Sequence, residues 1–161
     1  MHYLKDPKST NAKKYLFEAA KIAEKETCRR ARCGTVIVKN NDVTGSGFNS
    51  PAGDIENQRR CLIEKDSIHQ KVTDKTCCVH AEQRAIFDAL RKNADKLAGS
   101  TLYFIRLDKD GKKEKAGKPY CTICSKSALD VGIAAFVLWH EEGVCAYDTK
   151  EYNLRSYKYK D

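Results

Sequence analysis

Two short motifs in the chain combine metal-ligating side chains with a carboxylate that could move protons. HAE begins at His80, and CTIC begins at Cys121, about forty residues later. A hydrolytic zinc site needs three protein ligands and one open position for water, and imidazole and thiolate are ligands that zinc prefers. His80, Cys121 and Cys124 would supply three ligands, and Glu82 would be a general base and acid that does not ligate the metal. Together the motifs predict a hydrolytic zinc site, with a structural zinc clip or a redox pair as the alternatives.

Each motif opens a segment with the pattern of a helix. Apolar residues at helical spacing predict one helix over residues 80–93, and a second is predicted over residues 121–131. In the second helix Cys121 and Cys124 stand at i and i+3, so both thiols face the same direction. The positive end of each helix dipole would favour thiolate and carboxylate charge. The sequence thus predicts that two helix N-termini build the site.

The other segments predict the elements that must position these helices. Further helices are expected from Ala12 to Glu26, with Ser9, Thr10 or Asn11 as cap, and near Thr149 to Tyr157; strands are expected over residues 34–39, 43–48, 101–107 and 134–139. Helices interleaved with strands predict an α/β domain of three layers, α/β/α, around a central mixed sheet. Its last two strands would run parallel and bring both helix N-termini to one end of the sheet.

A polar stretch from Asn49 to Thr76 is too long for an ordinary connection, so we expect it to be functional or partly ordered by a ligand or metal. It contains part of a second group of soft ligands, which could hold a structural zinc: Cys61, His69, Cys77 and Cys78. Buried free thiols are the alternative for the last two. The remaining cysteines, Cys28, Cys33 and Cys145, are interpreted as core residues.

The size of the chain bounds its organisation. With 161 residues and 41% hydrophobic content, it is long enough for one domain with a real core, which we place over residues 1–161. No apolar stretch approaches the length of a membrane span, and the first residues lack the apolar core of a secretory signal. We therefore expect a cytoplasmic protein without a membrane partner, whose eight cysteines serve as thiols and metal ligands.

The net charge of +8 has two interpretations. Lysines interleaved with acids are typical of a solvated surface. Arginine forks, in contrast, suit phosphate groups, which favours a nucleotide over an uncharged nucleoside. Five of the arginines form two groups, Arg29, Arg30 and Arg32 before the first predicted strand and Arg59 and Arg60 in the polar stretch. We take Arg59 and Arg60 as candidates for phosphate binding.

These motifs resemble those of the cytidine and deoxycytidylate deaminase superfamily, whose zinc signature is H-x-E with a later P-C-x-x-C. The resemblance covers most of the chain. One departure is that Tyr120 stands between Pro119 and Cys121, so the loop over the metal is one residue longer than in the pattern. Histidine as the first ligand resembles the deoxycytidylate and nucleic-acid branches more than the free-cytidine branch.

The resemblance implies a cytidine-deaminase-like fold and zinc-dependent hydrolytic deamination of a free nucleotide or nucleoside such as deoxycytidylate, with release of ammonia. Glu82 would carry the proton from water to the ring nitrogen and the departing amine. By the same resemblance, Asn49 would bond the sugar, the Ala81 backbone would meet the base, and Thr35 would lie nearby. From the residues alone, Asn49 could equally shape the turn after a strand. His140, just after the last predicted strand, could line the pocket, but the interpretation as a loop histidine on the surface is favoured.

Two other functions remain open. A deaminase that edits nucleic acid would use the basic surface along a single strand, although basic residues interleaved with acids argue against it. A non-enzymatic structural zinc protein would gain nothing from Glu82 beside an open coordination position. The resemblance also implies a homo-oligomer.

Overall fold

The computed structural model describes residues 1–26, 28, 30–108 and 110–160, so that Arg29 lies outside the described residues. In chain order, the helices and strands are β1 (His2–Tyr3), α1 (Lys8–Ala23), β2 (Arg32–Lys39), β3 (Asp42–Phe48), β4 (Ser50–Pro51), β5 (Cys78–Val79), α2 (Ala81–Lys92), β6 (Thr101–Leu107), β7 (Lys113–Glu114), α3 (Thr122–Asp130), β8 (Ala135–His140), β9 (Gly143–Asp148) and α4 (Thr149–Tyr157). Short 3-10 helices occur at Ala52–Asp54, Glu56–Gln58, Lys65–Ser67 and Ala94–Lys96.

The main sheet has the strand order β1-β9-β8-β6-β2-β3, and β7 extends it by pairing with β6. β6 and β8 are parallel, as predicted, whereas β2 pairs antiparallel with both β3 and β6. The sheet is therefore mixed. The sequence interpretation did not include β1, β7 or β9 of this sheet, nor the short strands β4 and β5 outside it.

The side chains of the sheet alternate between two apolar layers. Val36 and Val38 on β2 pack in a core with α1, and Ile37 between them packs in a second core with α2. The second core also contains Ala128 of α3 and Tyr152 of α4. With α1 on one face of the sheet and three helices on the other, the predicted three-layer α/β/α architecture is confirmed.

The start of α1 differs from the prediction. The helix begins at Lys8, so the expected cap residues lie inside it, and Asp6 supplies the hydrogen bonds at this end. Its Oδ1 accepts from the backbone nitrogen of Thr10 at 3.2 Å and from the Thr10 hydroxyl at 2.8 Å. α1 is 16 residues long, and no helix in the described part of the chain is long and apolar enough to cross a membrane.

The long polar segment leaves the sheet and returns to it at one place. Ser50 pairs with Val79 and Pro51 with Cys78, so β4 and β5 form a small antiparallel ladder. This ladder joins the two ends of the segment immediately before His80. The excursion between β4 and β5 is thereby held beside the start of α2.

Candidate active site

Both motifs stand at helix N-termini, as predicted. His80 is the N-cap of α2, and its backbone nitrogen donates to Oε1 of Gln83 at 3.4 Å. Cys121 is the N-cap of α3, and its carbonyl accepts from Ser125 nitrogen at 3.1 Å. The first turns of two helices on the same face of the sheet therefore carry all the motif side chains.

His80, Cys121 and Cys124 point their ligand atoms at one another. The Sγ atoms of Cys121 and Cys124 each lie 3.3 Å from Nδ1 of His80, and the three atoms lie within 4.8 Å of one another. Tetrahedral zinc with ordinary bond lengths places nitrogen and sulfur ligands about 3.5 Å apart. The donor set and its spacing therefore fit a zinc ion with three protein ligands.

The protonation states of the three ligand residues depend on one another. Chiefly through its hydrogen bond with Cys121, the pKa of His80 is raised to about 9. The pKa of Cys121 is lowered to about 4, chiefly by its hydrogen bond with Cys124, with the bond to His80 acting in the same direction. The helix N-terminus further favours the thiolate. Zinc binds thiolate and neutral imidazole, so its binding would release the proton of His80 and that of Cys124, whose pKa is raised well above its usual value chiefly by its hydrogen bond with Cys121.

Glu82 is buried in the first turn of α2, with 6% of its surface exposed. Its pKa is raised to about 6, first by burial and then by the charge of Cys121, while His80 and a hydrogen bond with Cys124 act in the opposite direction. A carboxyl group that titrates near neutrality can both accept and release a proton. The burial and pKa of Glu82 thus agree with the proton-transfer role predicted for it, and that role stays a prediction.

A pocket opens in front of this group. His80, Ala81 and Glu82 line it, and so do Phe104 and Tyr120. Its empty volume is about 780 Å³ when the space open to solvent is included. The candidate proton-transfer group and His80 are therefore accessible from an open pocket.

The residues predicted to contact sugar and base have different positions. Asn49 and Ala81 line the pocket, whereas Thr35 is fully buried in β2 and is absent from the lining of the described pocket. The Asn49 side chain accepts from Cys33 nitrogen at 2.6 Å and donates to the Ala31 carbonyl at 3.0 Å. Asn49 therefore ties the end of β3 to the start of β2, and its contact with a sugar stays a prediction.

The two arginines proposed for phosphate have separate roles in the structure. Arg60 lines the pocket. Arg59 instead bonds Glu26 at 2.9 Å and Glu56 at 2.8 Å, and it is absent from the lining of the described pocket. The Glu26 side chain is 1% exposed, so this pair anchors the long segment to the chain just after α1. Arg59 thus holds the pocket wall in place.

We expect the variant Arg59→Ala to destabilise the protein by about 3 kcal/mol, because it leaves the buried Glu26 charge without this partner. Urea unfolding followed by circular dichroism measures the change. Glu56→Gln is the matched control, since Glu56 is 64% exposed and should contribute little. Equal, small effects in the two variants would contradict the anchoring role.

The four residues proposed for a second metal site do not lie together in the structure. His69 is exposed, and its Nδ1 accepts from Lys71 nitrogen. Cys77 and Cys78 have their sulfurs 3.6 Å apart, and Cys61 instead approaches Cys28, with the sulfurs 3.8 Å apart. Within the described residues, His80 and the two motif cysteines form the one group of three ligands found with metal-site spacing.

Three other expectations change with the structure. Cys28 and Cys33 are half-buried and line the pocket instead of belonging to the core, while Cys145 is fully buried as predicted. His140 is buried, with ring nitrogens 2.9 Å from the Ala116 carbonyl and 2.8 Å from the Tyr147 hydroxyl. The surface interpretation of His140 was therefore wrong, because β9 continues the sheet beside it.

Several pocket residues were not singled out from the sequence. Lys65 and Lys75 lie in the long segment, which has no periodicity that would reveal their direction. Arg30 belongs to an arginine group noted in the sequence, but nothing there distinguished it from its neighbours. Tyr120 had one sequence signal, its place between Pro119 and the first ligand of the second motif.

A buried carboxyl beside a zinc-ligand triad can move the proton of an attacking water, which places the protein among the zinc-dependent hydrolases. A family model described as the cytidine and deoxycytidylate deaminase zinc-binding region matches residues 9–140. The chain therefore belongs to the cytidine and deoxycytidylate deaminase family. It is a zinc-dependent hydrolytic deaminase that acts on the amine of a nucleobase.

Solved structures share the fold. The dCMP deaminase from cyanophage S-TIM5 in complex with dCMP and dUMP is 21% identical with a TM-score of 0.55, and the match covers 83% of this chain and 82% of that one. Cytidine deaminase from Burkholderia pseudomallei is 18% identical with a TM-score of 0.52, over 85% of this chain and 92% of that one. A comparison with curated protein sequences gave no match.

Proposed function

We propose that the protein deaminates a free cytosine nucleotide, with deoxycytidylate as the favoured substrate. The observation that carries this proposal is the charge of the pocket wall. Arg30, Arg60, Lys65 and Lys75 line the pocket, and Glu82 is the one acidic side chain among the described residues that line it. The pocket wall therefore carries an excess of positive charge, which favours a negatively charged substrate.

The basic residues of the pocket wall are accessible to a phosphate group. Arg30, Arg60 and Lys65 are exposed, and Lys75 is half-buried. Arg30 donates to the Ile63 carbonyl at 3.2 Å, and Lys75 donates to the Lys65 carbonyl at 3.1 Å. Those bonds hold the two side chains in place. Because a carbonyl is neutral, it does not compensate the positive charge of either side chain. Charge-assisted hydrogen bonds with phosphate are stronger than neutral ones, which favours a nucleotide over a nucleoside.

The reaction follows from the positions of the side chains. Zinc, when held by His80, Cys121 and Cys124, would activate water as a nucleophile at neutral pH. Glu82 takes one proton of the attacking water and delivers it to the ring nitrogen, and it then takes the second proton from the new hydroxyl group and delivers it to the departing amine. A carbon–oxygen bond forms, the carbon–nitrogen bond breaks, and the products are a keto base and ammonia. Burial keeps the proton on this route by limiting exchange with bulk water.

Ammonia release from a substrate panel tests the proposal. The panel contains deoxycytidine, dCMP, dCTP, the ribonucleotides, free bases, purine nucleosides and short single strands. We expect the highest kcat/KM with dCMP. Activity on nucleic acid alone would support the base-editing alternative and overturn the proposal, and so would equal kcat/KM for deoxycytidine and dCMP.

Variants of the basic wall separate phosphate binding from catalysis. In Arg60→Ala and Lys75→Ala, we expect KM for dCMP to rise about tenfold, with little change for deoxycytidine, because each loses one charge-assisted bond. Lys126→Ala is the matched control, since Lys126 is an exposed lysine on α3 that is absent from the described pocket lining.

A homo-oligomer and a cytoplasmic location stay predictions.

A further inference from the structure

Tyr120 is an aromatic residue of the pocket whose surface remains accessible. It lines the pocket with Glu82 and Phe104, and 58% of its surface is exposed. Phe104, in contrast, is half-buried within β6. Aromatic rings pack well on planar ligands, because a large apolar area leaves water and the rings can stack with an offset. The open Tyr120 ring therefore offers a nucleobase a surface to pack on.

The main chain fixes Tyr120 relative to the metal ligands. Tyr120 is bonded directly to Cys121, the N-cap of α3, and follows Pro119, which is buried. Its backbone cannot shift far without displacing a ligand. Since Tyr120 is the residue by which this chain departs from the P-C-x-x-C pattern, the ring is a feature of this chain and not of the motif.

The segment that follows α4 supports the ring from another side. The ring centroids of Tyr120 and Tyr159 are 5.9 Å apart at an interplanar angle of 62°, an edge contact. Nζ of Lys118 donates to the Lys160 carbonyl at 3.3 Å, so the same two stretches of chain are joined a second time. The two contacts restrict where the Tyr120 side chain can lie.

We propose that Tyr120 is a specificity-determining residue that packs against the pyrimidine ring of the substrate, and that Tyr159 is a positioning residue that holds the Tyr120 ring. This inference rests on the proposed function, since it takes a cytosine nucleotide as the ligand. The contact is present in the bound substrate and in the transition state alike. Its loss therefore raises KM and leaves kcat nearly unchanged.

Steady-state kinetics of the zinc-loaded enzyme with dCMP test the inference. Tyr120→Ala raises KM about tenfold with kcat within about twofold, and Tyr120→Phe retains the wild-type KM, because the ring and not the hydroxyl makes the contact. Tyr159→Ala raises KM about threefold in the wild-type background and adds nothing in the Tyr120→Ala background, since the positioned group is then gone.

Tyr157→Ala is the matched control, because Tyr157 is an exposed tyrosine at the end of α4 and should leave KM unchanged. An equal rise of KM in Tyr157→Ala and Tyr159→Ala overturns the positioning role. If the wild type is active on dCMP and Tyr120→Ala has the same KM, the specificity role of Tyr120 is overturned and the proposed function stands. A wild type that deaminates no cytosine nucleotide overturns the proposed function and this inference with it.

Discussion

The variant Glu82→Gln should lose deaminase activity by about 10³-fold or more in kcat while it keeps the fold and the zinc. Glutamine has nearly the same shape as glutamate, so the buried position is still filled, but the amide cannot take the proton of the attacking water. General acid–base catalysis by one positioned group typically contributes about 10²–10⁴-fold, and here one carboxyl serves both as base and as acid. Ammonia release from dCMP measures the loss.

Zinc content and thermal unfolding distinguish this loss from damage to the site. Glu82→Gln should retain the zinc content of the wild type, whereas Cys124→Ala should lose one zinc per chain together with activity, because it removes a ligand. Cys145→Ala controls for the loss of a buried thiol, since Cys145 lies in the core. Near-normal turnover by Glu82→Gln would show that another group moves the proton.

The part of the site that the sequence predicts is the part that local patterns determine. His80 and Cys121 each begin a segment with helical periodicity, so their place at helix N-termini follows from neighbours within a few residues. The i, i+3 spacing likewise fixes the mutual direction of Cys121 and Cys124. One long-range relation was then enough to bring the two helix N-termini together, namely the parallel arrangement of β6 and β8. The crossover rule predicts this arrangement.

Features that depend on distant pairing could not be predicted in this way. Arg59 and Arg60 are chemically equivalent in the sequence, yet Glu26, 33 positions from Arg59, binds one of them and leaves the other at the pocket. β9 was missed because its hairpin with β8 turns at Glu141 and Glu142, which carry no Asn-Gly signal. The surface interpretation of His140 failed for the same reason, since it depended on the absence of a neighbouring strand.

A single methyl group at Gly47 should damage both stability and activity. A Cβ there would lie 2.5 Å from Ala85 nitrogen and 2.6 Å from the Ala81 carbonyl oxygen, both backbone atoms of α2 that no rotamer change can move. Gly45 and Gly47 face the Ala81, Ala85 and Ala89 stripe, and this pairing of small residues lets α2 lie directly on β3. Gly47→Ala must push the first turn of α2 outward.

We therefore expect Gly47→Ala to lower the free energy of unfolding by about 3 kcal/mol, because overpacking against backbone is poorly relieved. Since the displaced turn carries His80 and Glu82, kcat/KM should also fall about 10²-fold, the typical cost of a misplacement near 1 Å. Urea unfolding and kinetics with dCMP measure the two effects.

Gly117→Ala is the matched control, because Gly117 is exposed and a Cβ there meets nothing within 4 Å. If Gly47→Ala behaves like the wild type, the start of α2 can move without disturbing the zinc ligands. The rigid packing of α2 on β3 would then be excluded as the cause of the site's geometry.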